Sequence, residues 1–317
     1  PFNDHEILVN AQLRPQSGRI ILNEPAEAYY RRALDEASNS GLAVIDEQSP
    51  RHYHHWCTHP EETEEESVTL AFGKALHCAT LEPEVFQTTY AVLPADAPRD
   101  LRRFRNAAKP SAETLKAIDW WDEWEARNAG RSIVSQVSYD RALAMATSVR
   151  SLELCFKNNG ADIRITVAEL IDVCETEVTL RWTDEETGIQ CKARADLWSQ
   201  DLALAMDLKS TRDASREAFA RSVHSYRYHV QHCHYADGFR VCGHPLQSFL
   251  FLPVETAMPH VPAVYYIDPP AEERGWAIRQ RSMRKLQDCL KSGRWRGYTD
   301  TVTSLSLPAY AFYDTKD

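Results

Sequence analysis

Between Thr176 and Lys209 the chain alternates strand and turn with almost nothing else, and this stretch constrains the fold more than any other. "TEVTLRW" (176–182) reads as a strand, "TDEETG" (183–188) as a turn, and "IQCKARADLW" (189–198) as an alternating strand that returns. "SQD" (199–201) then turns the chain into the apolar run "LALAMDLK" (202–209). Strands joined by connections this short lie side by side and antiparallel. The flanks have a different period. From residue 25 to about 160, "EPAEAYYRRALDEA", "SVTLAFGKALHCATL", "SAETLKAIDWWDEWEARNAG" and "YDRALAMATSVRSLELCFK" place apolar residues at helical spacing. Ser111 is placed to cap the third of these and Gly130 to stop it. After the meander the pattern predicts one long helix from about Ala214 to Phe239, strands at "QSFLFLPVE" and "AVYYID", and a basic helix over 270–292. This order predicts an α/β (α+β) fold with a mixed central sheet flanked by helices.

The meander ends on an unusual pair of charges. Asp207 and Lys209 alternate along the third strand and so share a face. Asp196 closes the second strand, ten residues earlier by the count between them, so the hairpin brings it alongside Asp207. Two carboxylates a few ångströms apart do not both stay ionised unless a positive charge lies between them. A hard divalent cation bound by carboxylates, a backbone carbonyl and water meets that need, and Mg²⁺ is the natural choice. Lys209 beside it is placed to position a water and to stabilise charge developing on a phosphate. From the spacing alone, a surface salt bridge among the same three residues is the competing account. The next helix adds His224, Tyr228, Gln231 and Tyr235 at i, i+4, i+7 and i+11, a stripe of polar-tipped side chains suited to phosphate or metal-bound water.

Composition excludes several classes. At 317 residues, 43% hydrophobic and 26% charged, the chain has ample core and no apolar run long enough to span a bilayer. No signal peptide is visible at the N-terminus. Eight scattered cysteines without a CxxC pair read as reduced thiols of a cytoplasmic protein, not as a disulfide framework or an iron–sulfur site. The net charge of −10 argues against nucleic acid only on average. "EETEEE" (61–66) is strongly acidic, whereas Arg274, Arg279, Arg281, Arg284, Lys285, Lys291, Arg294 and Arg296 flank the single acid Asp288. Arg99, Arg102, Arg103, Arg105 and Lys109 form a second basic group, and local basic surface decides whether phosphate is held. "HYHHWCTH" (52–59) lacks zinc-ligand spacing, and Glu82 and Glu84 around Pro83 read as helix-ending residues.

The pattern Asp196…Asp207-Leu208-Lys209 followed by "YRYHVQ" (226–231) resembles the PD-(D/E)xK nuclease superfamily, and more narrowly the RecE (exonuclease VIII) nuclease domain. Six blocks carry the resemblance in order: 38–56, 72–86, 182–196, 206–215, 226–239 and 305–311. It runs from about Ala37 to the C-terminus, so residues 1–36 read as an extension. Residues 37–317 read as one exonuclease domain, helical over 37–175, with a sheet core over 176–268 and a basic helix and tail over 269–317. The resemblance implies that Asp196, Asp207, the Leu208 carbonyl and His77 hold the metal, and that Lys209 is the catalytic lysine. It implies that Gln231 belongs to the catalytic set and that Glu177, Tyr235 and Tyr228 support it. Ala195 stands where the family has a proline, which concerns rigidity rather than chemistry. The implied activity is Mg²⁺-dependent, processive 5′→3′ digestion of linear double-stranded DNA from its ends, with Mn²⁺ as a substitute. The product is a 3′ single-stranded overhang used in recombination by strand annealing. A ring-shaped homotetramer and a RecT-type annealing partner are implied with it, and no membrane. A PD-(D/E)xK endonuclease, a single-strand nuclease and a catalytically silent DNA-binding module are the alternative readings.

Overall fold

A computed structural model describes residues 18–60, 68–158 and 160–308. The acidic run 61–66 and the end of the block 305–311 therefore lie outside the described residues. In chain order the elements begin with β1 (Gly18–Ile21), α1 (Ala26–Tyr30), β2 (Glu36–Ser38), α2 (Asn39–Glu47), α3 (Pro50–Thr58), α4 (Val68–Leu81) and α5 (Pro83–Thr89). They continue with β3 (Tyr90–Val92), α6 (Ala112–Arg127), β4 (Ser132–Val134), α7 (Gln136–Arg150), β5 (Glu153–Asn158), β6 (Ala161–Thr166) and α8 (Val167–Asp172). The second half contains β7 (Glu175–Thr183), β8 (Gln190–Ser199), β9 (Leu204–Thr211), α9 (Arg216–Ser225), α10 (Tyr228–Val241), β10 (Ser248–Glu255), β11 (Tyr265–Tyr266) and α11 (Pro269–Ser292). The predicted meander is β7, β8 and β9, each antiparallel to the next.

The main sheet has the order β1-β7-β8-β9-β10-β11, with β2 added in parallel to the start of β8. β10 lies parallel to β9, so the sheet is mixed, and α9 and α10 form the crossover between them. Each face carries its own apolar core. Val178, Leu180, Trp182, Ala193, Ala195 and Phe251 pack with Phe239, Met283 and Leu286 of α10 and α11. Met206, Leu208, Leu252 and Val254 pack with Leu76 of α4, Met145 of α7 and Leu170 of α8. A Cβ on Gly275 would stand 2.3 Å from the His229 carbonyl oxygen, so this glycine sets how closely α11 lies on α10.

Two expectations need correction. Ser111 does cap α6, accepting from the Thr114 N–H at 3.1 Å, but "SLELCFK" does not continue α7. It forms β5, which pairs with β6 as a separate hairpin. The single helix over 214–239 is two helices. Arg227 adopts φ 57°, and its guanidinium bridges Asp46 at 2.5 Å and Glu47 at 2.7 Å on α2, which holds the break between α9 and α10. His224 consequently leaves the Tyr228–Gln231–Tyr235 stripe. The segment before Ala37, read as an extension, supplies β1, the sheet's edge strand beside β7.

Part of each basic group is neutralised from within. Arg279 pairs with Asp184 and Asp237, Arg281 with Asp46, Arg284 with Glu186 and Arg296 with Asp300. In the second group Arg102 pairs with Asp100 and Glu125, and Arg105 with Asp122.

Candidate active site

The site begins where the sheet opens. β8 and β9 pair at Ser199↔Leu204, Trp198↔Ala205 and Leu197↔Met206 and then part, while β9 continues beside β10 to Thr211↔Glu255. The next pair in this register would be Asp196 and Asp207. A strand leaving its neighbour frees backbone groups that need partners. Two side chains supply them: Asp196 Oδ2 accepts from the Leu208 N–H at 2.6 Å, and His77 Nε2 lies 2.9 Å from the Leu208 carbonyl.

β7 opens at the same level. Thr176↔Leu197 and Val178↔Ala195 are paired, whereas Glu177, directly across from Asp196, is not. Glu177 has φ 51°, a left-handed conformation that costs a non-glycine residue about 1–3 kcal/mol and is found where function holds it. Alternation along β8 also skips here, because Ala195 belongs to one core and Leu197 to the other. The result is a cluster. Ligand atoms of His77 from α4, Glu177 and Asp196 all lie within 4.8 Å of one another, and His77 Nδ1 is 3.4 Å from Asp196 Oδ2.

Asp207 stands beside this cluster, with partners of its own. The Lys209 ammonium pairs with Asp207 Oδ2 and lies 4.7 Å from the Tyr228 ring centroid. The Gln231 amide donates to Asp207 Oδ1, and Tyr235 lies one helical turn further along α10. Asp207 is 2% exposed, so both of its oxygens meet their partners out of water.

Charge in this pocket is out of balance. Burial pushes the Asp207 carboxyl up to about 6, with Asp196 adding to the push against Lys209. Burial and then Asp196 lift Glu177 to about 7. Burial alone would lower His77, but the charge of Asp196 and its hydrogen bond outweigh it and carry the imidazole to about 9. Burial likewise opposes charge on Lys209 and Asp196, yet Asp207 raises the ammonium and His77 lowers the carboxyl. Glu82, at the head of α5 with no side-chain cap hydrogen bond, adds to the negative field at Glu177. A pocket that raises an imidazole this far favours a cation, and the clustered ligand atoms of His77, Glu177 and Asp196 are placed to meet one. The residues present fit a divalent metal.

The structure thus gathers His77, Asp196, Asp207, Leu208, Lys209 and Gln231, with Tyr228 and Tyr235 behind them. It places Glu177, expected as a support, among the candidate ligand atoms, and it turns the Leu208 carbonyl toward His77. Sequence reasoning missed Lys192 and Arg194, which are 5% and 8% exposed. Their signal was visible: "CKARAD" carries charge at every second position of a strand otherwise fit for burial.

A mixed sheet that parts around two carboxylates and a lysine, with helices on both faces, defines the PD-(D/E)xK nuclease fold class. Residues 38–307 match the family described as "PDDEXK-like domain of unknown function (DUF3799)", and the chain belongs to that family. The crystal structure of a candidate exonuclease from Eubacterium rectale superposes with a TM-score of 0.54 at 11% identity, covering 93% of this chain and 100% of that one. No curated protein matches the chain by sequence.

Proposed function

We propose that the protein is a metal-dependent exodeoxyribonuclease that digests linear double-stranded DNA 5′→3′ and leaves a 3′ single strand. The observation that carries this reading is the joint opening of β7, β8 and β9 around His77, Glu177, Asp196, Asp207 and Lys209. Mg²⁺, with Mn²⁺ as substitute, is held by Asp196, Asp207, Glu177 and His77. Bound there, it supplies Lewis acidity toward the phosphate and lowers the pKa of a coordinated water. Lys209 carries the positive charge that meets the phosphate as negative charge grows on it. Gln231 fixes the Asp207 carboxylate, and Tyr228 holds the lysine in place across its ring face. The similarity of the ordered sequence blocks to RecE supports the polarity, the ring-shaped tetramer and a RecT-type annealing partner. With four of the α11-region cations already paired to acids, the DNA contacts of that face fall to Arg274, Lys285, Lys291 and Arg294.

The test compares wild type with Asp207→Ala on end-labelled linear duplex and on a relaxed closed circle, each with Mg²⁺ or EDTA. Loss of only the linear duplex, only with Mg²⁺ and only with wild type, is expected, and the order of label loss gives polarity. Cutting of the circle would reassign the protein as an endonuclease. Binding without cutting would make it a DNA-binding module.

Among the described residues no helix is long and apolar enough to cross a membrane.

A further inference from the structure

Two buried cations on β8 have no part in the chemistry above, and both hold the same piece of chain. Lys192 donates to the carbonyls of Tyr29 at 2.8 Å and Arg31 at 2.5 Å, and pairs with Glu36 at 2.9 Å. Arg194 donates to the Glu24 carbonyl at 2.7 Å and to Thr179 at 3.1 Å, and its guanidinium lies 4.4 Å from the Tyr29 ring centroid. Burying a lysine and an arginine is costly unless every donor is satisfied, so these contacts fix the backbone of 24–31 firmly. The anchoring strand is the one that carries Asp196, at i+4 and i+2 from the two cations.

Between the two carbonyls that Lys192 holds stands Tyr30. Its neighbour Tyr29 is clamped on Arg194, whereas Tyr30 leaves 56% of its surface in solvent. Tyr29 meets the Tyr30 ring edge-on, with centroids 5.2 Å apart and planes at 74°. Lys74 Nζ lies 5.7 Å from the ring centroid, on α4 and three residues before His77. On the other side, Arg194 reaches Glu177 at 3.8 Å. Partial burial and then the charge of Glu177 raise the Tyr30 phenol, as expected of a ring beside the carboxylate cluster. An exposed aromatic ring on a rigid mount, with a lysine beside it and a candidate phosphodiester-cleaving centre next door, has the composition of a platform for single-stranded nucleic acid. There bases stack on the ring and the cation meets the backbone.

We propose that Tyr30 is a base-stacking residue for the DNA strand entering the metal site, with Lys74 contacting the adjacent phosphate. Residues 18–31 lie before the 38–307 family match and on this reading still complete the substrate site. The inference rests on the nuclease reading above, and the test separates the two.

Full-length wild type, Tyr30→Ala, Tyr30→Phe and Tyr30→Trp are assayed in Mg²⁺ on linear duplexes in which a single abasic site is walked through the terminal nucleotides. For wild type, one abasic position should raise KM about tenfold, the scale of one lost stack, with kcat changed about twofold at most. Tyr30→Ala should show the same rise on intact DNA and no further rise at that abasic position, whereas Phe and Trp should restore wild-type behaviour. Because the ring is more than half exposed, Tyr30→Ala should melt with wild type. Independent effects of the Tyr30→Ala and abasic changes at every position would overturn the stacking role. So would a Tyr30→Ala enzyme indistinguishable from wild type. In both cases the nuclease reading stands. If wild type cuts no DNA at all, the nuclease reading fails and the stacking role goes with it.

Discussion

Two of the buried charge clusters on this sheet are built in opposite ways. Under α11, Arg279 meets Asp184 at 2.9 Å and Asp237 at 2.7 Å, and every carboxylate oxygen has a partner. Thr187 donates twice to Asp184 Oδ2, Trp182 donates to Asp237 Oδ2 and Arg240 to Asp237 Oδ1. At the β8–β9 opening, Asp207 is just as buried and pairs with Lys209, but Asp196 adds a second buried carboxylate beside them. The carboxyls respond accordingly. Burial would raise both, yet Thr187 and Arg279 hold Asp184 below its usual range while Asp207 rises to about 6. Buried charge that is fully matched serves structure; buried carboxylates crowded together raise one another's pKa and leave room for a further cation.

The sharpest way to break this comparison is to neutralise one group on each side. Asp207→Asn should cost on the order of 10³-fold or more in DNA hydrolysis, since it removes a ligand and the partner of Lys209. Its melting temperature should move little, because relief of a carboxyl raised by burial offsets a Lys209 ammonium left without its partner. Arg279→Ala should do the reverse. It leaves Asp184 and Asp237 buried without their cation, a loss of about 3–5 kcal/mol in urea unfolding, with activity of the folded fraction within about threefold. An Asp207→Asn enzyme that still cuts DNA would remove the site from this pocket.

A pH titration sharpens the same contrast. His234 is fully buried and neutral, donating from Nε2 to the Lys192 carbonyl at 3.1 Å and accepting from Arg279 at Nδ1, 3.4 Å away. Burial and then the Arg279 charge push it down to about 3, whereas an unfolded histidine titrates near 6.5. As pH falls below about 6.5 the unfolded chain takes up the proton first. The stability from this group is therefore complete above that pH and drains away toward pH 3. Between pH 7 and 4.5 His234→Gln should lose roughly 2–3 kcal/mol less than wild type. The smallest effect is the metal's. Mn²⁺ at ten times its Kd should stabilise wild type by about 1.4 kcal/mol, reversibly with EDTA. His77→Ala or Glu177→Gln should lower that gain, whereas His234→Gln should leave it intact.

The meander was legible in the sequence because its turns are too short for any other arrangement, and the alternation of Asp207 and Lys209 followed from the strand alone. The position of His77 on a helix facing the site came from resemblance, since no local period connects it to residues more than a hundred positions away. What could not be read are the long-range pairs. The break at Arg227 depends on Asp46 and Glu47, and nothing in "HSYRYHV" itself stops a helix. The basic helix looked like a phosphate surface because the acids that neutralise it, Asp46, Asp184, Glu186 and Asp237, are distant in sequence. Resemblance marked Glu177 as a supporting residue, but its left-handed backbone appears only once Asp196 lies opposite.

The alternation of β8 has a consequence for how the chain is made. Cys191, Ala193 and Ala195 pack inward while Lys192, Arg194 and Asp196 take the other side. A slip of one residue in strand pairing would drive two cations and a carboxylate into the apolar layer and carry three small side chains out of it. No partly correct register exists in which the core is sound and the cluster absent. A chain that has found its fold has therefore also assembled its site, so counting working sites in a preparation would also count correctly threaded molecules.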